Sequence, residues 1–432
     1  MCGSRLDRLL TTTKKHGLLT LRNRSVWRTC REYLIPHEAV AVRTNQASPV
    51  RTGCGNHSGR RAVNLQGTTD VFVVGGGPSG LAAAIAARQA GFDVTLADGS
   101  APPIEKPCGE GLMPETIVAL RDLGVTIAPS DGVRFRGICF TQKDACVAGD
   151  FPSGAGVGLR RTTLHERLVA RARDCGVKLL WQSPVVAIGA SHVELAAGRI
   201  ATRWIVGADG QSSRVRRWIG IETKHIQRRY ATRRHFCTQP WSNYVEIHWG
   251  ARAQAYVTPV GPNEICIVMI SVDSEAASFE RALGEFPEIQ QRIAGAKITS
   301  RERGAVTSMH TLRSVQRGRV ALVGDASGGV DAITGEGIRL GLRQASALAE
   351  AMVAGNLQQY EKQHRELATR PARMGRLLLW LDRNPKLRTR VILAFQSKPE
   401  LFARTLAMHV GHGSAHDILF TGTRLGWRLL SA

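Results

Sequence analysis

Gly75, Gly77 and Gly80 stand at the spacing G-x-G-x-x-G inside VFVVGGGPSG, the stretch from Val71 to Gly80. A β-branched apolar run precedes them, and the Ala-rich, helix-forming segment Leu81–Ala90 follows. Asp98 closes a second apolar run, VTLAD, 23 residues after Gly75. Set between a strand and a helix, this combination suits a dinucleotide. Gly75 permits the tight turn, Gly77 lets the main chain approach a pyrophosphate, and Gly80 lets helix and strand pack closely. Pro78 and Ser79 belong to the same binding loop. The helix N-terminus offers free N–H groups and partial positive charge to phosphate. Asp98 can accept hydrogen bonds from ribose hydroxyls.

Two further signals lie downstream. Trp204–Arg217 reads WIVGADGQSSRVRR, an apolar strand that ends in Asp209-Gly210. Gly318–Leu342 reads GRVALVGDASGGVDAITGEGIRLGL. There, the strand Val320–Val323 ends in Gly324-Asp325, and Gly335-Glu336-Gly337 opens a helix through Gln344 and Leu348. A carboxylate past a strand end, followed by a helix N-terminus, suits a ligand with a polyol and an electron-rich ring.

Three such signals in this order resemble the FAD-dependent oxidoreductases of the p-hydroxybenzoate hydroxylase-like fold, over about Asp70 to Gly355. The resemblance implies FAD, with its adenosine end at Gly75–Asp98 and its flavin end at Asp325–Gly337. It also assigns Arg161 to the arginine of the family's R-x-x-L-x-x-x-L stretch. After Gly324-Asp325, the chain has Gly328, Ala332 and Glu336 where aromatic hydroxylases carry His, Pro and Gln. Thr334–Ile338 and Lys106-Pro107-Cys108-Gly109-Glu110-Gly111 are instead similar to the geranylgeranyl reductase branch. The branch's Tyr-x-Trp-x-Phe-Pro element is replaced by Tyr256-Val257-Thr258-Pro259, and the W-x-W-x-I-P segment of flavin halogenases does not occur.

The reaction expected is reduction of a C=C bond in a hydrophobic, isoprenoid or polyketide-like substrate. The alternative is hydroxylation of an aromatic or quinone-type substrate by a monooxygenase. No second G-x-G-x-x-G occurs, so NAD(P)H is expected as a transient electron donor. Glu110 and Glu336 are candidate proton donors that equally suit N–H capping, and Cys108 is a packing residue or a nucleophile. Trp241, Tyr244, Trp249 and Tyr256 either wall an apolar pocket or pack within a sheet. The histidines show no metal-ligand spacing, and no metal is expected.

These residues need an α/β frame: a Rossmann-like domain with a mostly parallel sheet, an inserted antiparallel-sheet substrate domain, and C-terminal helices. The first is expected from 66–108, 158–220 and 311–354, and the second from 109–157 and 221–310. Strands are expected at Val133–Thr141, Tyr244–Trp249, Ala253–Pro259 and Glu264–Val272. The region 355–432 is expected to be helical, broken at Pro385 and Pro399. Its mixed basic and apolar stretch Arg376–Leu393 is expected to pack on the FAD domain, with contact at a membrane surface as the other reading.

The net charge is +23, from 58 Lys and Arg against 35 Asp and Glu. Residues 1–65 hold twelve of the basic and three of the acidic residues. They read as a disordered extension, either a tail or the product of an upstream start, in preference to a transit peptide. No nucleic-acid motif accompanies the dense basic clusters Arg214–Arg217 and Arg228–Arg234. They are expected to form a solvated basic surface that binds no nucleic acid. Nine cysteines without a C-x-x-C pair argue against a disulfide framework and for a reducing cytoplasm.

Overall fold

The computed structural model describes residues 65–273 and 278–413. The expected extension before residue 65 and the last part of the expected helical region, 414–432, lie outside the described residues.

Apolar β-branched residues make the central strands of the first sheet. Its order is Gln316–Arg317, Val320–Leu322, Gly198–Gly207, Leu65–Val74, Val94–Ala97 and Lys178–Leu180. The four pairings from Val320–Leu322 to Lys178–Leu180 are all parallel. Val185–Ile188 and His192–Leu195 add an antiparallel edge. Such a sheet must be covered on both faces. Helices Pro78–Gln89, Arg161–Asp174 and Gly337–Val353 pack one face through Leu81, Ile85, Leu168 and Leu348. Val185, Val193, Ile200 and Val215 cover the other.

The second sheet runs Lys297–Ile298, Thr223–Cys237, Glu264–Ser271, Ala253–Gly261, Val245–Trp249, Gly137–Gln142 and Ala145–Asp150, with Arg303–Leu312 also pairing Thr223–Cys237. It is antiparallel except at one place, where Val245–Trp249 runs parallel to Gly137–Gln142. Those two strands are far apart in the chain, so no hairpin fixes their relative direction. The single strand expected over Val133–Thr141 is two, Val133–Phe135 and Gly137–Gln142, broken at Arg136. The first belongs to a small third sheet with Gly111–Leu112 and Gly156–Gly158.

Helices Leu357–Asp382, Pro385–Ser397 and Pro399–Val410 close the described chain. Pro385 and Pro399 each open a helix, where a missing N–H costs nothing. The stretch Arg376–Leu393, expected to pack on the FAD domain, touches it at Ile333 but lies mainly against the second sheet. Leu379, Val391 and Ile392 instead join Ile247, Trp249 and Tyr256 of the second sheet in one core. Strand Val245–Trp249 is buried at every residue, so the second sheet needs that apolar cover.

The basic clusters also differ from expectation. Arg216, Arg229 and Arg233 are buried. On strand Thr223–Cys237, alternate residues share a face, and Arg229, Arg233 and His235 all point inward.

Candidate functional site

One cavity of about 1360 Å³ runs from the Gly75–Ser79 loop, between the two sheets, to the C-terminal helices. Its two ends differ in chemistry.

At the polar end, the strand Leu65–Val74 delivers the chain into the glycine loop. Gly75 has φ +110°, and a Cβ there would lie 2.5 Å from the Ala208 carbonyl oxygen. A Cβ on Gly80 would meet the Gly75 carbonyl oxygen at 1.9 Å, so helix and turn touch only because both residues are glycine. Gly77 differs: a Cβ there would meet no protein atom within 4 Å, and the residue lines the cavity. The helix starting at Pro78 has no side-chain cap and no acid in its first turn, which leaves its N–H groups for an anion.

Asp98 lines the cavity and is braced by main-chain N–H groups. Its Oδ2 accepts from Gly76 at 2.7 Å and its Oδ1 from Ser100 at 2.7 Å. The buried His165 donates from Nε2 to the Gly76 carbonyl at 2.9 Å. Burial lowers its pKa, so the ring is neutral. The Trp181 ring packs against Gly76. Both supports escaped the sequence reading, because a lone His and a lone Trp carry no spacing signal.

Asp209 caps the short helix Arg214–Trp218, its Oδ2 accepting from the Arg214 and Val215 N–H groups at 2.6 and 3.1 Å. Gly324 does not line the cavity. It presses on Ser79, where a Cβ would meet Oγ at 2.3 Å. Asp325 does line it and pairs with Lys106 at 2.9 Å. Partial withdrawal from water raises the Asp325 pKa, but Lys106, with Arg161 and His310, more than offsets this and holds it below the usual range. Gly335 and Gly337 complete this end, and a Cβ on Gly337 would again meet nothing within 4 Å. Glu336 between them is fully buried and outside the lining, with its carboxylate paired to Arg339.

Cys108 and Glu110 form part of the middle wall. Glu110 has φ +59°, an uncommon conformation for a side-chain-bearing residue. Its Oε1 accepts from the Arg161 main-chain N–H at 3.0 Å and from Arg233 Nη1 at 2.8 Å. Its Oε2 lies 2.6 Å from His235 Nε2. Cys108 Sγ accepts weakly from the Glu110 N–H at 3.4 Å. Glu110, His235 and Cys266 bring their ligand atoms within 4.8 Å of one another, a grouping the sequence did not suggest. Arg233 already neutralises Glu110, and burial pushes the Cys266 thiol well up. The trio therefore has the chemistry of a hydrogen-bonded knot rather than of a set of anionic ligands. Nearby, Arg229 pairs with the buried Asp331 at 3.0 Å, on the loop between Asp325 and Gly335.

The far end is apolar. Phe140, Trp249 and Tyr256 of the second sheet face Val391, Phe395 and Phe402 of the helices. Phe140 stacks edge-on to Trp249 at 5.9 Å, and Phe402 packs against Phe140 and Phe395 at 5.1 and 5.4 Å between centroids. Trp241 and Tyr244 lie outside the lining, hydrogen-bonded to Glu246 and Asp150. At the rim, Leu377 and Trp380 line the cavity while 45% and 52% exposed.

The sequence profile of the FAD binding domain matches residues 68–359. A menaquinone reductase of Mycobacterium tuberculosis is 28% identical over 324 residues, covering 68% of this chain and 79% of that protein. A chloroplastic geranylgeranyl diphosphate reductase of Oryza sativa is 28% identical over 317 residues, 66% of each chain. A flavoprotein/dehydrogenase structure from Cytophaga hutchinsonii superposes with a TM-score of 0.70 at 17% identity, covering 79% of this chain and 93% of that one. The glycine cradle fits such a cofactor: Gly77, Gly210 and Gly337 line the cavity with room where a Cβ would stand, and Arg161 Nε is buried without a hydrogen-bond partner. This chain belongs to the FAD-binding-domain family and is an FAD-dependent oxidoreductase.

Proposed function

We propose that this protein reduces a C=C bond of a hydrophobic, isoprenoid-type substrate, with NAD(P)H as the transient donor that recharges FAD. The observation that carries the reading is the single cavity joining the glycine cradle to an apolar, aromatic-walled chamber. The names of the relatives, a menaquinone reductase and a geranylgeranyl diphosphate reductase, support a greasy substrate for that chamber.

In this reading, Gly75, Gly77, Pro78, Ser79 and Gly80 bind the pyrophosphate, Asp98 the adenosine ribose, and Arg161 the phosphate side. Asp209 lines the cavity while holding the helix Arg214–Trp218, and Gly324 braces its loop from behind. Asp325 holds the polyol, and the helix start at Gly335–Gly337 faces the ring. Bound there, FAD supplies the hydride. The apolar wall orients the substrate and excludes water, and Cys108 and Glu110, in the wall, are the candidate residues for that chemistry, while Glu336 lies outside it. Residues 66–108, 158–220 and 311–354 act as the cofactor domain, and 109–157 and 221–310 as the substrate domain. The exposed Leu377 and Trp380, beside Arg373 and Arg376, favour entry of substrate from a lipid surface. No helix among the described residues is long and apolar enough to cross a membrane.

The test is anaerobic reduction of the FAD-loaded protein by NADPH, followed by menaquinone or geranylgeranyl diphosphate. The reading expects a bleached flavin to recover its colour and the product to gain two hydrogens by mass spectrometry. Recovery only with O2, with a product one oxygen heavier, identifies a monooxygenase instead. A protein that takes up no FAD overturns the cofactor assignment.

A further inference from the structure

We propose that Cys139 and Cys146 form a reversible dithiol–disulfide couple on the back of the substrate wall, so that oxidation of the pair alters the apolar chamber. The modification site stands on its own geometry. Its effect on turnover rests on the reductive reading above.

Strands Gly137–Gln142 and Ala145–Asp150 form a hairpin closed by the turn residues Lys143 and Asp144. Lys143 takes φ +51° there, as tight hairpin turns favour. The turn fixes the register, with Cys139 opposite Ala148 and Thr141 opposite Cys146. The two cysteines are therefore diagonal neighbours on one face of the hairpin, 7 residues apart in the chain. Both are free thiols, and their sulfurs lie 3.3 Å apart. The small Thr141 side chain sits beside both, its Oγ1 3.8 Å from Cys139 Sγ and 3.9 Å from Cys146 Sγ. A disulfide holds its sulfurs about 2.0 Å apart, so closure needs a movement of little more than about 1 Å.

The other face of the same hairpin belongs to the chamber. Phe140 follows Cys139 and points the opposite way. It lines the cavity, packs against Trp249 and Phe402, and has Val147 as its partner across the hairpin. A bridge from Cys139 to Cys146 thus crosses directly behind the Phe140–Val147 pair. Gly149, on the second strand, touches the same Phe402, where a Cβ would lie 2.8 Å from the ring. Close packing on this side transmits a shift of either strand to the wall.

The oxidant is hydrogen peroxide, which a reduced flavin releases when O2 takes its electrons in place of a substrate. Cys146 is half-buried and Cys139 is 7% exposed, so Cys146 meets the oxidant first. Its sulfur attacks peroxide: an S–O bond forms, the O–O bond breaks, and water leaves with the thiol proton. The product is a sulfenic acid. The Cys139 sulfur then attacks Cys146 Sγ: the S–S bond forms, the S–O bond breaks, and a second water carries off the Cys139 proton. Two thiols lose two electrons, and one peroxide becomes two waters. A dithiol reductant reverses the bridge by exchange.

The experiment treats the full FAD-loaded chain with hydrogen peroxide, alkylates it with iodoacetamide and cleaves it with trypsin. Cuts after Arg136, Lys143 and Arg160 place the two cysteines on separate peptides, 137–143 and 144–160. The expected result is one linked species, two hydrogens lighter than the sum of the two peptides and separated again by dithiothreitol. Unlinked peptides, or Cys146 carried to sulfinic acid beside an alkylated Cys139, overturn the couple. In a second arm, peroxide should lower kcat/KM for geranylgeranyl diphosphate or menaquinone by about threefold or more. FAD content should stay constant, and dithiothreitol should restore the rate. Cys146→Ser should keep the untreated rate and lose the response, and Cys139→Ser replaces it if that variant does not fold. A linked protein with unchanged turnover overturns the coupling to the chamber. An untreated wild type that reduces neither probe overturns the reductive reading, and the peptide arm then decides the couple alone.

Discussion

At the glycine end of the cavity a missing Cβ decides the shape, whereas at the helical end large side chains do. The Gly75–Gly80 turn leaves no space that a side chain could yield, since main-chain atoms lie 1.9 to 2.5 Å from where the Cβ atoms of Gly80 and Gly75 would stand. The opposite wall is a set of aromatic rings from a strand sheet and two helices, more than 5 Å apart between centroids. Such a wall can change volume by exchanging one side chain for another, at modest cost. The cofactor end is therefore fixed in shape, and the apolar end is where substrate preference can be altered without touching the cofactor.

Four effects break or sharpen this contrast. The largest effect belongs where the ends meet. Arg229→Met leaves Asp331 buried without its cation, at a cost of about 3–5 kcal/mol, read by urea unfolding. Arg229→Met with Asp331→Leu should recover most of it. Next comes a pair of glycines. Gly80→Ala forces a Cβ onto a carbonyl oxygen and should destabilise by roughly 3 kcal/mol with loss of FAD. Gly77→Val meets no protein atom at its Cβ. It should leave the unfolding midpoint of the FAD-free protein within about 0.5 kcal/mol of wild type and weaken FAD binding by roughly tenfold or more. A Gly77→Val protein that binds FAD normally removes Gly77 from the cradle.

The third effect is acid sensitivity. His364 donates to or accepts from Ser327 Oγ at 2.9 Å beneath the Asp325 loop, and burial, only partly opposed by Glu361, lowers its pKa to about 4. The unfolded chain takes up a proton near pH 6.5 that the folded protein refuses until about 4. Its contribution is therefore complete above pH 6.5 and lost as the pH falls towards 4, on the order of 3 kcal/mol. Thermal unfolding from pH 7 to 4.5 should be steeper in the wild type than in His364→Gln. The smallest effect is at the apolar wall. Val391→Trp should raise KM for a long substrate by about tenfold while FAD content stays at the wild-type level, as read by absorbance.

What the sequence made legible follows the same divide. The fingerprint, Asp98 and the Gly324–Gly337 segment are contiguous, and each spacing reports a local main-chain path. Strand Val320–Leu322 and the helix after Glu336 appear where their apolar runs place them. The Glu110 knot was not legible, because Arg233 is 123 residues from Glu110 and His235 is 125. Neither was the burial of Arg229 and Arg233: a dense arginine run reads as surface until strand alternation turns every second one inward. Of the four aromatic residues proposed for a pocket, only Trp249 and Tyr256 line it, since facing depends on sheet register. Glu336 looked like an acid at a helix start, and its pairing with Arg339 took it out of the cavity.

The long strand Thr223–Cys237 fastens the molecule at separate points, through Arg229 to Asp331 and through Arg233 and His235 to Glu110. A clamshell opening between the two sheets would strip buried guanidinium groups of their carboxylates. The buried ion pairs therefore oppose such an opening. Under the proposed function, a long substrate enters past the exposed Leu377 and Trp380 and slides towards the glycine cradle, so the depth of the cavity limits how much of it is reached.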